Sequence, residues 1–138
     1  MKFTVRGVNL TVTPSLERYA TAKLTKPFER LWGRSVEYEA ITVGIELKHV
    51  TAHHRKGLVW RAAASVRLPQ KSFFAAVDAD ELHAAIDLLE EELDRELSKI
   101  KERLRSRFLR GARRARELLR FHRLARFLWR GRRREEGI

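Results

Sequence analysis

Polar and apolar positions alternate from the start of the chain. Lys2, Thr4 and Arg6 face one way, Phe3 and Val5 the other. A period of two predicts a strand with one buried face, ending in a connection over Gly7 to Val12. Thr13-Pro14 reads as an N-cap followed by proline at the first helical position, where a missing N–H costs nothing. Leu16, Tyr19, Ala20, Lys23, Leu24, Phe28, Leu31 and Trp32 then recur at mostly helical spacing, predicting a helix to about Trp32 that stops at Gly33. Pro27 removes the bond to the Lys23 carbonyl and predicts a kink or a split. Ile41, Val43, Ile45 and Leu47 alternate with Thr42, Gly44, Glu46 and Lys48. Trp60, Ala62, Ala64, Val66 and Leu68 alternate with Arg61, Ala63, Ser65 and Arg67. These two strands form a hairpin around a polar turn at Thr51 to Gly57. Pro69-Gln70 turns the chain into a further short strand over Ser72 to Val77, whose inward face the pattern leaves open.

Asp78 and Glu81 have capping-box spacing, and Asp80 is an equally good cap. A long helix follows, with Leu82, Ile86, Leu89, Leu93, Leu97, Ile100 and Leu104 as one apolar stripe. The order β-α-β-β-β-α predicts an α+β fold, a four-stranded sheet with both helices on one face. After Leu104 the residues are mostly arginine, leucine, alanine and phenylalanine. Phe108, Ala115, Leu118, Ala125 and Trp129 continue a stripe that Leu119, Phe121, Leu124, Phe127 and Leu128 widen. This predicts a basic amphipathic extension, either continuous with the preceding helix or breaking near Gly111, and frayed from Arg132. The expected division is a domain over 1–107 and an arginine-rich tail over 108–138.

Charge sharpens this division. Of the formal net charge of +12 over 138 residues, residues 1–98 contribute 14 basic against 14 acidic side chains, and residues 99–138 contribute 16 against 4. The whole excess lies in the last stretch. A neutral body with a basic arm reads as a binder of polyanions, nucleic acid first and an anionic membrane surface second. The absence of cysteine excludes disulfides and thiolate metal sites. Lys2 and Arg6 interrupt the apolar positions of the N-terminus, so no secretory leader is expected. No stretch approaches the ~20 apolar residues that span a bilayer.

Candidate chemistry is sparse. His49, His53 and His54 are the one cluster with metal-ligand character, but no carboxylate lies close in sequence and two of them are adjacent in a turn, so a solvated turn is the expectation. Glu90, Glu91 and Glu92 sit beside Arg95 as ordinary helix-surface charge. No phosphate loop and no nucleophile beside a base is present. No enzyme activity, metal, cofactor or small-molecule substrate is expected. Trp32 and Trp60 read as core, whereas Trp129 ends the basic helix where it could stack on RNA or enter a bilayer. Lys23, Lys26 and Arg30 share one helix face, as do Arg95, Lys99 and Arg103. By spacing alone these are solvated faces.

Specific residues change that weighting. Lys2-Phe3-Thr4-Val5-Arg6-Gly7-Val8-Asn9-Leu10-Thr11-Val12-Thr13 resembles the opening strand and turn of the ribosome hibernation promoting factor and ribosome-associated inhibitor (sigma-54 modulation protein) family. Leu16, Tyr19, Ala22-Lys23-Leu24 and Lys26 continue the match. Asp80-Glu81-Leu82-His83-Ala84-Ala85-Ile86-Asp87 resembles the opening of the family's second helix. The resemblance covers about residues 1–107. It departs at Pro27, at His83 where tyrosine is usual, and at Glu90 to Glu92 where lysine is frequent. The tail matches neither the family's dimerisation domain nor a familiar short ending. The resemblance implies a cytoplasmic stress protein that binds the small ribosomal subunit in the channel used by mRNA and tRNA, blocks initiation and protects idle ribosomes. It implies RNA binding by Lys23, Lys26, Arg30, Arg95, Lys99, Lys101, Arg103 and Arg105. Arg110, Arg113, Arg114, Arg120 and Arg123 of the tail are expected to contact rRNA or a ribosomal protein. Two rivals stand beside this reading: a peripheral membrane or protein-partner module acting through residues 105–130, and an RNA-binding domain without effect on translation.

Overall fold

The computed structural model describes residues 1–33, 35–50 and 59–135, with side chains up to Leu124. The chain divides into two compact units, Met1–Lys99 and Ile100–Ile138. The first holds strand β1 (Lys2–Val8), helix α1 (Pro14–Leu24), helix α2 (Lys26–Trp32), a 3-10 turn (Val36–Ala40), strands β2 (Thr42–His49), β3 (Trp60–Arg67) and β4 (Ser72–Ala79), and the start of α3 (Leu82–Glu135). The sheet order is β1-β2-β3-β4. The first pair is parallel, as a helical crossover requires, and the other two are antiparallel.

Register explains which face is buried. Val43 lies opposite Val66, and Val66 opposite Phe73; Ile45 lies opposite Ala64, and Ala64 opposite Ala75. Ile41, Val43, Ile45, Leu47, Ala62, Ala64, Val66, Ala75 and Ala79 are buried, as are Ala20, Leu24, Phe28 and Trp32 of α1 and α2 and Ala85, Ile86, Leu89, Leu93 and Leu97 of α3. The two helical patterns therefore close over the alternating face of the strands, as their periods predict. The face of β4 left open by its sequence is settled here: Ala75 and Ala79 point inward and Phe74 outward.

Several boundaries differ from expectation. β1 runs on to Val8, and Gly7 is needed because a Cβ there would lie 2.6 Å from the Leu10 carbonyl oxygen. Asn9 follows with φ of 56°, a conformation asparagine tolerates. The first helix is split as Pro27 foretells, but the division falls at Thr25, which leaves proline in the first turn of α2. Thr13 caps α1 through its side-chain oxygen, which accepts from the Leu16 N–H at 3.2 Å. The 3-10 turn has no periodic signal and is set by Ser35, whose hydroxyl accepts from the Glu37 N–H at 3.1 Å.

Asp78 is not at the start of α3. It lies within β4, and its carboxylate accepts from Arg61 Nε at 2.7 Å and Nη2 at 3.2 Å across the β3–β4 pair. α3 begins at Leu82, where the Ala85 N–H bonds the Glu81 carbonyl at 3.0 Å. Trp32 is core as expected, whereas Trp60 is half-buried at a strand end, edge-on to the His49 ring with centroids 4.6 Å apart.

The second unit is helical. α3 is one uninterrupted helix of 54 residues through Gly111 and Gly131 to Glu135, past the expected fraying point at Arg132. A helical glycine costs only about 1 kcal/mol relative to alanine, too little to break such a run. The expected turn at Thr51 to Gly57, with His53 and His54, and the side chains of Ala125, Phe127, Leu128 and Trp129 lie outside the described residues.

Candidate nucleic-acid interface

The helices of the first unit carry Lys23 on α1 and Lys26 and Arg30 on α2, with Lys23 and Arg30 beside acids of α3. Tyr19 donates its hydroxyl to Asp87 Oδ1 at 2.8 Å, and its ring stands edge-on to His83 with centroids 4.6 Å apart. The Lys23 ammonium lies 3.5 Å from Asp87 Oδ1, 3.8 Å from Glu90 Oε2 and 5.9 Å from the Tyr19 ring centre. The Asp87 charge pushes Lys23 above its ordinary value. The hydrogen bond to Asp87 and burial push the Tyr19 phenol up as well.

Arg30 donates to Asp94, and to the Ser98 hydroxyl at 3.4 Å. Arg95 pairs with Glu92 at 2.9 Å and Lys99 with Glu96 at 3.5 Å. Lys26 is exposed. Within the first unit, Lys23, Arg30, Arg95 and Lys99 of the two expected ladders are thus interleaved with carboxylates. Over α1, α2 and α3 up to Lys99 there are six basic side chains (Arg18, Lys23, Lys26, Arg30, Arg95, Lys99) and eight acidic ones (Glu17, Glu29, Asp87, Glu90, Glu91, Glu92, Asp94, Glu96), a sum of 6 − 8 = −2.

The second unit has the opposite character. Between Ile100 and Leu124 lie ten basic residues, Lys101, Arg103, Arg105, Arg107, Arg110, Arg113, Arg114, Arg116, Arg120 and Arg123, against Glu102 and Glu117. All of the arginines are exposed. At about 100° per residue, Leu104, Phe108, Ala115 and Leu118 share one side of the helix, and Arg110, Arg113, Arg114, Arg116, Arg120 and Arg123 fall on the other half. Phe108, Leu118 and Phe121 are 76%, 71% and 77% exposed.

Sequence reasoning found the basic positions but missed their partners. Tyr19 and Asp87 are 68 residues apart, so nothing local announces the contact. No group of His, Asp or Glu that could hold a metal occurs among the described residues, and no helix among them is long and apolar enough to cross a membrane.

The chain is similar in sequence and fold to known proteins. Residues 3–105 match the family model for sigma 54 modulation protein / S30EA ribosomal protein. A ribosome hibernation promoting factor from Acinetobacter guillouiae is 30% identical over 101 residues, covering 72% of this chain and 86% of that protein. Two solved structures share the fold: the N-terminal domain of Protein Y from Thermus thermophilus, with TM-score 0.55, 22% identity and coverage of 72% of this chain and 99% of that one, and a ribosomal subunit interface protein from Coxiella burnetii, with TM-score 0.56, 23% identity and coverage of 74% and 99%.

Proposed function

Because this chain belongs to the sigma 54 modulation protein / S30EA ribosomal protein family over residues 3–105, we propose that it is a cytoplasmic ribosome hibernation factor that binds the small subunit and keeps idle ribosomes out of translation. As a member of that family it is a binding protein and not an enzyme. The finer reading is that it occupies the mRNA and tRNA channel through phosphate contacts from its helices. The observation that carries it is the family match together with the basic excess of α3 beyond Lys99.

The helix cations divide into two groups under this reading. Arg103, Arg105, Arg110, Arg113, Arg114, Arg120 and Arg123, with Lys101 beside them, lie where basic residues outnumber acids and supply most of the salt-dependent attraction to rRNA. Lys23, Arg30, Arg95 and Lys99 already have carboxylate partners. Exposed pairs of this kind are worth about 0–1 kcal/mol, so phosphate can displace the carboxylate at small cost. Lys26 needs no such exchange. Phosphate contacts position a protein without reading sequence, which suits recognition of one folded RNA channel by shape.

Sedimentation of a lysate through a sucrose gradient tests the reading, and a purified competition assay tests the placement. The protein should travel with small subunits, and initiator tRNA should exclude it. Simultaneous binding of both to one subunit would remove the channel assignment. The exposed Phe108, Leu118 and Phe121 beside arginines favour one rival, an amphipathic helix lying on an anionic bilayer. Flotation with anionic liposomes, without co-sedimentation with ribosomes, would decide for it.

A further inference from the structure

Among the described residues, the helices of the first unit leave one face of the sheet uncovered, and its chemistry differs from theirs. Register aligns four rows across the strands on that face: Lys2, Thr42, Arg67, Ser72; Thr4, Gly44, Ser65, Phe74; Arg6, Glu46, Ala63, Ala76; and Val8, Lys48, Arg61, Asp78. Five of these residues are basic and two acidic, a sum of 5 − 2 = +3, against −2 for the helices of the same unit. Both acids are matched within the face, Glu46 by Arg6 at 2.6 Å and Asp78 by Arg61 at 2.7 Å. Lys2 and Arg67 at one end and Lys48 at the other carry the surplus. Six residues of strand separate those end rows, a strip of about 20 Å.

Between the ends lies an exposed aromatic. Phe74 is 68% exposed, an uncommon position for phenylalanine in a sheet, and its row-mates are Ser65, Gly44 and Thr4. A Cβ at Gly44 would meet only the Thr4 hydroxyl, at 3.9 Å, so neither packing nor backbone requires glycine there. Its effect is to keep the floor beside Phe74 low. A hollow of about 530 Å³ opens at this point, lined by Thr42, Gly44, Ser65, Arg67, Ser72 and Phe74.

We infer that this open sheet face is a second RNA surface, a platform for a single-stranded segment with a base stacked on Phe74 and the backbone held by Arg67, Lys2 and Lys48. A duplex buries the faces of its bases and offers Phe74 nothing to stack on, whereas unpaired bases stack readily on aromatic side chains. The positive sum of the face excludes an acid-poor apolar partner as its best fit and disfavours a second copy of the same face, which would bring like charges together.

Photocrosslinking of the full chain to an oligouridylate of about ten nucleotides, with peptide mapping, tests this. A label on the peptide that begins at Ser72 is expected, and R67E should lower its yield. In F74W the new indole should be quenched by oligouridylate but not by an abasic oligomer of equal length, against the wild-type emission of Trp32, Trp60 and Trp129. The ratio of affinities for these two oligomers should fall on the order of ten-fold in F74A. Label confined to residues 100–138, with no quenching in F74W and an unchanged ratio in F74A, would overturn the inference. So would a wild-type dimer that F74A dissolves, which would give the face to a second copy.

Discussion

Replacing Arg110, Arg113, Arg114, Arg116, Arg120 and Arg123 together by glutamine isolates the electrostatic part of ribosome binding. Glutamine and arginine have similar helix propensities, so α3 should persist and only charge should change. All six arginines are exposed and lie on one half of the helix. A polyanion laid along that half reaches about half of them at once, so about three phosphate contacts are lost. Each contact contributes about 0.7 to 0.9 to the negative slope of log affinity against log salt, so the slope should become shallower by about 2 to 3. Across a four-fold rise in salt, wild-type affinity should therefore fall about 20- to 40-fold more than that of the variant. Fluorescence anisotropy of labelled protein with purified small subunits measures both lines. Parallel lines displaced vertically would mean that the arginines do not contact phosphate, and identical lines would remove the tail from the interface.

Truncation after Arg107 should leave a cooperatively folding chain, since every strand and the buried stripe of α3 through Ile100 remain; circular dichroism during thermal melting checks this. Tyr19→Phe should cost about 0.5–1.5 kcal/mol by deleting the 2.8 Å hydrogen bond to Asp87, read by chemical denaturation. Tyr19 and Lys23 are both raised in the folded state, so their contribution is full below the ordinary values near pH 10 and is lost as pH rises through the folded values. Stability should accordingly fall in the alkaline range, less steeply in Tyr19→Phe. Asp78→Ala should destabilise by about 1 kcal/mol, because Arg61 is left half-buried beside it without its bidentate acceptor; a matched loss in Arg61→Ala and none further in the double variant would establish the coupling.

The parts of this protein that were legible in its sequence are those whose signal is periodic. Ile41, Val43, Ile45 and Leu47 announce a half-buried strand, and Leu82 to Ile100 announce a buried helical stripe, because burial on one face forces those periods. Asp78 was not legible. Asp78-Ala79-Asp80-Glu81 fits a capping box as well as a strand end, and the contest is decided by Arg61, seventeen residues upstream. The basic ladders were legible as positions but not as surfaces, since Asp87, Glu90 and Asp94 reach Lys23 and Arg30 only after α1 and α2 pack beside α3. The sheet face shows the reverse case. Alternation marks Lys2, Lys48 and Arg67 as polar positions but leaves the face of β4 open, and only register across four strands groups them around Phe74.

The segregation of charge has a consequence for how recognition is divided. Ten basic residues between Ile100 and Leu124 supply attraction to any polyanion, and such attraction steers and tightens without discriminating. Specificity for one site must then come from shape and from contacts that a phosphate backbone alone cannot make. The first unit, near neutral and closed around a buried core, has those contacts to offer. Two of its layers differ in sign, so a polyanion approaching it meets attraction at the sheet and net repulsion at the helices, where phosphate must displace carboxylates. On the proposed reading a folded RNA channel satisfies both layers at once, whereas an unstructured single strand reaches the tail and the sheet face but has no fixed backbone to set against the helices. Discrimination between ribosomal and random RNA should therefore depend on residues 1–99 and persist in the six-arginine variant, even as overall affinity falls. If that variant lost discrimination along with affinity, the tail would be the reader and the body its support.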